Sequence, residues 1–81
     1  SKVQIILELE TPADISAIRD IEGVKNFEAK SDKIFEISAE TGKDIRGDIF
    51  RKAVENGWVI TGLNQEKASL EHIFQNLTTK N

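Results

Sequence analysis

An alternating run of apolar residues near the start of the chain constrains its fold more than any other feature. Val3, Ile5, Leu7 and Leu9 occupy every second position. A period of two is typical of a β-strand, because successive side chains point to opposite faces. The run therefore predicts a strand with one strongly apolar face.

The residues after this strand predict a first helix. Thr11 is suited to the N-cap, and Pro12 to the first helical position, where no backbone donor is needed. Asp14 follows at a position where an acid faces the positive end of the helix dipole. The predicted buried side consists of Ile15, Ile18 and Ile21, and the helix is expected to end at Glu22-Gly23.

The middle of the chain predicts a hairpin, a second helix and a return strand. Residues 24–30 and 33–40 are extended segments joined by the polar turn Ser31-Asp32. Residues 41–44 break the pattern and supply capping oxygens, and residues 58–63 are expected to return as strand four. The second helix is predicted between these two segments and is expected to end at Asn56-Gly57. Its apolar residues at helical spacing are Ile45, Ile49, Phe50, Ala53 and Val54.

A last helix is predicted near the end of the chain. Ser69 can cap it, and its apolar side chains recur at i, i+3, i+4 and i+7. This stripe consists of Leu70, Ile73, Phe74 and Leu77.

The element order predicts an α+β fold. The expected architecture is a ferredoxin-like β-α-β-β-α-β plait, with a four-stranded antiparallel sheet, two helices on one face and an extra C-terminal helix. The other sheet face would be uncovered, with Ile6, Ile34 and Ile60 pointing to it. The favoured expectation is that the last helix folds back onto that face. The alternative is that these apolar residues contact another domain or a second copy of the chain. The candidate interaction residues are therefore Leu70, Ile73, Phe74, Leu77, Ile6, Ile34 and Ile60.

Length and composition limit the classes of function. The 81 residues suffice for one domain, residues 1–81, and the absence of methionine favours a domain taken from a longer protein. Acidic residues outnumber Lys and Arg by 14 to 11, which argues against nucleic acid as a partner. No cysteine is present, and His72 is the only histidine, so the composition favours neither thiol chemistry nor a metal site. The longest apolar run is far shorter than a membrane span, so we expect a soluble domain.

Catalytic motifs fit the sequence poorly. The pair Gly42-Lys43 lacks the upstream glycine of a phosphate-binding loop, since that position is Ile37, and Asp44 replaces the required hydroxyl. A loop capping helix two is the favoured interpretation. His72 is expected on the polar side of the last helix, away from any serine that it could activate.

Two ligand-binding interpretations remain weaker. Glu8, Glu10 and Glu36 could form an acidic cluster, but a solvated sheet face explains them better. Regulatory domains of the ACT type bind small molecules at a glycine-bearing turn after strand one. Residues 10–14 contain no glycine and add an acid, which makes this resemblance weak. An ACT-like small-molecule sensor is therefore the second-ranked function.

Residues 66–78, Glu-Lys-Ala-Ser-Leu-Glu-His-Ile-Phe-Gln-Asn-Leu-Thr, resemble the ending of many ABC transporter ATP-binding subunits. A Ser/Thr-Leu-Glu-x-Ile/Val-Phe-x-x-Leu-Thr motif recurs there. A looser likeness extends over the whole chain and is similar in kind to subunits of gliding-motility systems and related exporters.

The resemblance implies a non-catalytic C-terminal accessory domain that regulates the subunit or mediates its contacts. It implies that ATP and magnesium bind to a preceding ATPase domain whose Walker and signature motifs are absent from this sequence. The expected partners are that ATPase domain or a second ATP-binding subunit, and indirectly the membrane subunits of the transporter. A homodimer of the domain is a further expectation, and the location would be cytoplasmic, peripheral to the inner membrane.

Overall fold

A computed structural model of the protein describes residues 2–40 and 42–66, in which four strands form one antiparallel sheet. A 3-10 helix (Ser16–Asp20) follows the first strand, and one α-helix, α1 (Arg46–Asn56), follows the third. The predicted α+β class and four-stranded antiparallel sheet are confirmed, and the predicted C-terminal helix lies outside the described residues. The strands are β1 (Lys2–Leu9), β2 (Val24–Ala29), β3 (Ile34–Glu40) and β4 (Ile60–Glu66), in the spatial order β2-β3-β1-β4.

The pairing of β1 with β3 forms the centre of the sheet. Ile5 lies opposite Ile37, and Leu7 lies opposite Phe35. All four side chains are buried. The predicted apolar face of β1 is thus the inner face of the sheet.

Both helical segments cover this inner face. The 3-10 helix and the residues around it contribute Ile15, Ile18 and Ile21, as the sequence predicts. The α1 region contributes Ile45 and Ile49. Because each fully buried side chain of this size contributes about 1.5–3 kcal/mol by leaving water, these isoleucines account for much of the driving force for folding.

The first helix differs from its prediction in type and starting point. It begins at Ser16 and is a five-residue 3-10 helix, not an α-helix capped by Thr11. A carboxylate oxygen of Asp14 accepts hydrogen bonds from the Ser16 N–H (3.0 Å) and hydroxyl (2.6 Å). This local turn keeps Asp14 and Ile15 ahead of the helix, and Ile15 and Ile18 are still in the core.

The predicted second helix is present, but Phe50 and Val54 of its apolar repeat are not in the core. They are 57% and 69% exposed, whereas Ile49 and Ala53 on the same helix are buried. Only one narrow strip of α1 meets the sheet, and Ile49 and Ala53 fill it. Phe50 comes directly after Ile49, and Val54 directly after Ala53. One residue along a helix is a rotation of about 100°, so both side chains point away from that strip.

Ile60 is also wrongly predicted, since it does not point to the outer face of the sheet. It lies opposite Leu9 and packs against the core. The β1–β4 register shifts between Glu8 and Leu9, because Glu8 lies opposite Gly62. This bulge leaves one extra residue in β4 and reverses the face on which Ile60 lies.

The end of α1 is a Schellman motif. Gly57 adopts a φ of 75°, and its N–H bonds to the Val54 carbonyl at 3.3 Å. The Trp58 N–H bonds to the Ala53 carbonyl at 2.8 Å. The left-handed conformation of glycine therefore satisfies the last carbonyls of the helix and turns the chain towards β4.

Truncation of Ile5 tests the central position of the β1–β3 pair. Ile5→Ala is expected to lower the free energy of unfolding by about 2–5 kcal/mol, because it opens a cavity in a fully buried site. Urea unfolding followed by circular dichroism measures the change. The control is Glu8→Ala, on the opposite face of the same strand, which is expected to change stability by less than about 0.5 kcal/mol. Similar losses for both variants would contradict the assigned faces of β1.

Replacing each of two glycines in the α1 region by alanine is expected to change the free energy of unfolding in opposite directions. Gly57→Ala is expected to cost about 1–2 kcal/mol, because alanine is strained at this φ although space surrounds the position. Gly47→Ala is expected to stabilise by about 0.5–1 kcal/mol, because alanine favours the helix and would meet only the Arg51 side chain. Thermal and urea unfolding of both variants measure the difference. A destabilised Gly47→Ala protein would argue against the assigned helix.

Candidate functional site

The outer face of the β1–β3 pair is the first candidate site. Ile6 lies opposite Glu36, and Ile34 lies opposite Glu8. The two isoleucines are therefore diagonal neighbours, roughly 7–8 Å apart by ordinary strand geometry. We call this surface, centred on Ile6 and Ile34, the open sheet face, because the described helices pack on the opposite side.

Three of the seven predicted interaction residues lie within the described ranges, and the structure brings two of these three together. Ile6 and Ile34 are partly exposed on the open sheet face. Ile60 lies on the inner face, as described above. The predictions for the last helix fall on residues outside the described ranges: Leu70, Ile73, Phe74 and Leu77.

Polar contacts surround the two isoleucines. The Ser38 hydroxyl donates to Oε1 of Gln4 at 3.1 Å across the strands. Lys30 Nζ lies 3.2 Å from a carboxylate oxygen of Glu36 and 3.5 Å from one of Glu28. The hydrogen bond to Glu36, assisted by the charge of Glu28, raises the pKa of Lys30. These groups form a solvated polar rim and lack the separated acid and base that proton transfer requires.

On the side of the open sheet face next to β4, the charged residues of the rim are carboxylates. Glu8 lies against the β4 backbone, since a Cβ placed on Gly62 would be 3.1 Å from its Oε1. Glu66, opposite Gln4, adds a second carboxylate to this side. The sequence predicted a solvated acidic face, and the strand pairing places Glu8 and Glu36 diagonally across it.

A charged cleft between the 3-10 helix and α1 is the second candidate, and sequence reasoning missed it. Its volume is about 390 Å³. Lys43 Nζ lies 3.0 Å from Glu22, and Lys52 Nζ lies 3.9 Å from Asp20. Because its exposed charges largely neutralise one another, the cleft offers no strong field to a charged ligand. The lining residues are Asp20, Ile21, Glu22, Lys43, Asp48, Arg51, Lys52 and Glu55.

Neither surface has the arrangement of a metal centre. Within residues 2–40 and 42–66, no group of three His, Asp or Glu side chains could hold a metal ion. In the same part of the chain, no helix is long and apolar enough to cross a membrane.

Asp44 organises the loop that leads into α1. Its carboxylate accepts hydrogen bonds from the Arg46 N–H (3.1 Å), Nε (2.9 Å) and Nη2 (2.7 Å). These bonds, from the Arg46 side chain first and its backbone second, lower the pKa of Asp44 to about 2. Asp44 thus accepts the N–H of the first residue of α1, but the N-cap residue is Ile45, which makes no side-chain cap bond, so the predicted capping is only partly observed.

The comparisons with known proteins identify the family. The model of the family described as ATP-binding protein DrrA1-3-like, C-terminal domain, matches residues 2–78. The chain belongs to this family. The resemblance to an accessory domain of ABC transporter ATP-binding proteins is confirmed at this level. Neither the curated proteins nor the solved structures contain a match.

This family match covers both surfaces and the final motif of the sequence. It includes the elements that form the open sheet face and also residues 69–78 of the predicted last helix. The final motif of the sequence predicted the ABC transporter family. The position of Ile6 next to Ile34 follows from the strand pairing and could be seen only in the structure.

Acid titration should reveal the role of Asp44. Its pKa is lowered in the folded protein relative to the ordinary value of 3.8. The carboxylate therefore stabilises the fold above about pH 4, and this contribution is lost as the pH falls towards 2. Unfolding midpoints of the wild type and Asp44→Asn, measured between pH 5 and about 2, should converge at the acidic end.

Asp44→Asn isolates the effect of the charge, because the asparagine side-chain oxygen can still accept the hydrogen bond from the Arg46 N–H. A residual slope is expected from Asp14, whose pKa is lowered by its bonds to Ser16. A constant difference between the wild type and Asp44→Asn at every pH would contradict the assigned ion pair.

Proposed function

We propose that this chain is a non-catalytic regulatory and interaction domain of an ABC transporter ATP-binding subunit. Its open sheet face contacts an ATPase domain, either in the same subunit or in the second ATP-binding subunit. The observation that carries the proposal is the pair Ile6 and Ile34, partly exposed at the centre of a sheet whose described helices all lie on the other face. The family match supplies the transporter context.

The charge of the rim favours a particular kind of partner surface. Glu8 and Glu66 lie beside the isoleucines, and Glu36 already pairs with Lys30. A partner with an apolar centre and a basic rim would bury the isoleucines and approach the carboxylates of Glu8 and Glu66 favourably. Such complementarity sets orientation and association rate more than affinity.

The strand arrangement supports assignment to the ferredoxin-like plait. The order β2-β3-β1-β4 has β1 and β3 in the middle, and the segments after them cover the same face. The departure from the predicted plait is the 3-10 helix in the first connection. With one face covered, such a plait has the other available for contact with protein.

The remaining expectations follow from the same proposal. ATP and magnesium bind to the ATPase domain, and this domain binds neither. The domain acts on the cytoplasmic side, reaches the membrane subunits only through the complex and is part of a longer subunit. The likeness of residues 66–78 supports an exporter or a gliding-motility system as the parent. In the isolated domain, the open sheet faces of two copies could also contact each other and form a homodimer.

Substitution on the open sheet face of the full-length ATP-binding subunit tests the proposal. Ile34→Glu is expected to change the ATP turnover rate and to weaken subunit association, because a buried carboxylate would oppose the contact. Turnover and sedimentation in the presence of ATP measure the two effects. Ile34→Val, which retains the apolar contact, should behave as the wild type.

Two controls separate loss of contact from loss of fold. Ala29→Glu, at an exposed position of β2, introduces the same charge away from the open sheet face and should be neutral. Circular dichroism of the Ile34→Glu subunit establishes that it is folded. A folded Ile34→Glu subunit with unchanged turnover and association would refute the contact, and ATP hydrolysis by the isolated 81-residue chain would refute the non-catalytic assignment.

A further inference from the structure

Two large apolar side chains of α1 are exposed. Phe50 is 57% exposed and Val54 is 69% exposed. They are four residues apart and therefore lie on the same side of the helix. We call Phe50 and Val54 the α1 flank.

The α1 flank lies on the β4 side of the helix. The opposite side of α1 faces the 3-10 helix, because Asp48, Lys52 and Glu55 line the cleft between the two. Beyond the helix in the other direction is β4, which α1 also contacts and which forms an edge of the sheet. The α1 flank thus overlooks this edge.

The chain leaves the described structure beside the same edge. Glu66 ends β4 opposite Gln4, near the start of β1. The first turn of α1 is at this end too, since Ile45 lies against Gly23, whose carbonyl binds the Glu40 N–H. A segment that turned back after Glu66 would therefore run along α1 from its beginning towards Val59.

Among the described residues, β4 has one buried side-chain acceptor without a hydrogen-bond donor. Gln65 lies opposite Ile5, so its side chain is on the inner face. Its Oε1 is buried and has no hydrogen-bond partner among the described residues. Because a buried acceptor without a donor costs free energy, a neighbouring segment is expected to supply one.

We propose that residues 69–78 of the same chain pack against the α1 flank, with Leu70, Ile73, Phe74 and Leu77 facing Phe50 and Val54. As a helix, this segment would be about 15 Å long, close to the length of the 11-residue α1. This inference does not rest on the proposed function. It assigns the segment to the inner side of the sheet and leaves the open sheet face available to a partner.

The open sheet face is the less suitable surface for this segment. It offers only Ile6 and Ile34, and covering it would remove the Lys30–Glu36 pair and Glu8 from water. Desolvation of such charges opposes burial unless new partners replace the water. The α1 flank offers two apolar side chains that are more than half exposed, and the described residues end beside it.

Cysteine pairs in this cysteine-free chain give a direct test. Val54→Cys is combined in turn with Leu70→Cys, Ile73→Cys and Leu77→Cys, so that no register is assumed. Matched controls combine Ile34→Cys with the same three substitutions. Because a disulfide requires Cα atoms within about 7 Å, at least one Val54 pair should oxidise roughly tenfold faster than every Ile34 pair. Non-reducing electrophoresis and mass spectrometry measure intramolecular product.

Other cross-linking outcomes overturn the proposal. Faster reaction of the Ile34 pairs would place the segment on the open sheet face. Exclusively intermolecular product would assign it to a second copy, and no reaction in either set would exclude stable packing at both surfaces.

A stability measurement without cysteines provides a second test. Val54→Lys is expected to lower the urea midpoint of the 81-residue chain, because lysine would displace the packed segment. Ala29→Lys, an apolar-to-lysine change at an exposed position of β2, should leave the midpoint unchanged. Equal midpoints for Val54→Lys and the wild type would show that nothing covers Val54 and would overturn the proposal.

Discussion

The antiparallel contact between β1 and β3 is the constraint on which the rest of this structure depends. It places Ile5 beside Ile37 and Leu7 beside Phe35, and so creates the apolar layer that both helical segments cover. Strand periodicity fixes the two faces together, because a shift by one residue would exchange every inward side chain for an outward one. The position of Ile6 and Ile34 on the opposite face is a direct consequence of the same register.

Much of the fold could be predicted from local patterns. The alternation of β1, the polar turn at Ser31-Asp32 and the glycine after α1 each determine structure within a few residues, and each prediction agrees with the observed elements. The first helix is a 3-10 helix and not the predicted α-helix, because the residues before it offer two possible N-terminal hydrogen-bonding patterns. The Asp14 carboxylate forms a turn with Ser16, and this local bond prevails over the cap expected at Thr11.

Two features of the candidate surfaces depend on contacts between distant parts of the chain. The face of Ile60 depends on a bulge between Glu8 and Leu9, which arises from pairing with a distant strand. Exposure of Phe50 and Val54 depends on how much of α1 the sheet can cover. A periodic pattern shows which side of a helix is apolar, but the width of its buried strip is a tertiary property. The family could be identified from a short final motif, whereas these surfaces could be located only after the strands were placed.

The outermost position of β2 has a consequence for assembly. Lys25 and Glu28 are exposed on this strand, and its register with β3 is irregular between Val24 and Asn26. Charged side chains and an irregular backbone both discourage another chain from extending a sheet by hydrogen bonding. The β2 margin therefore protects the domain against uncontrolled sheet-to-sheet polymerisation when many copies are crowded together.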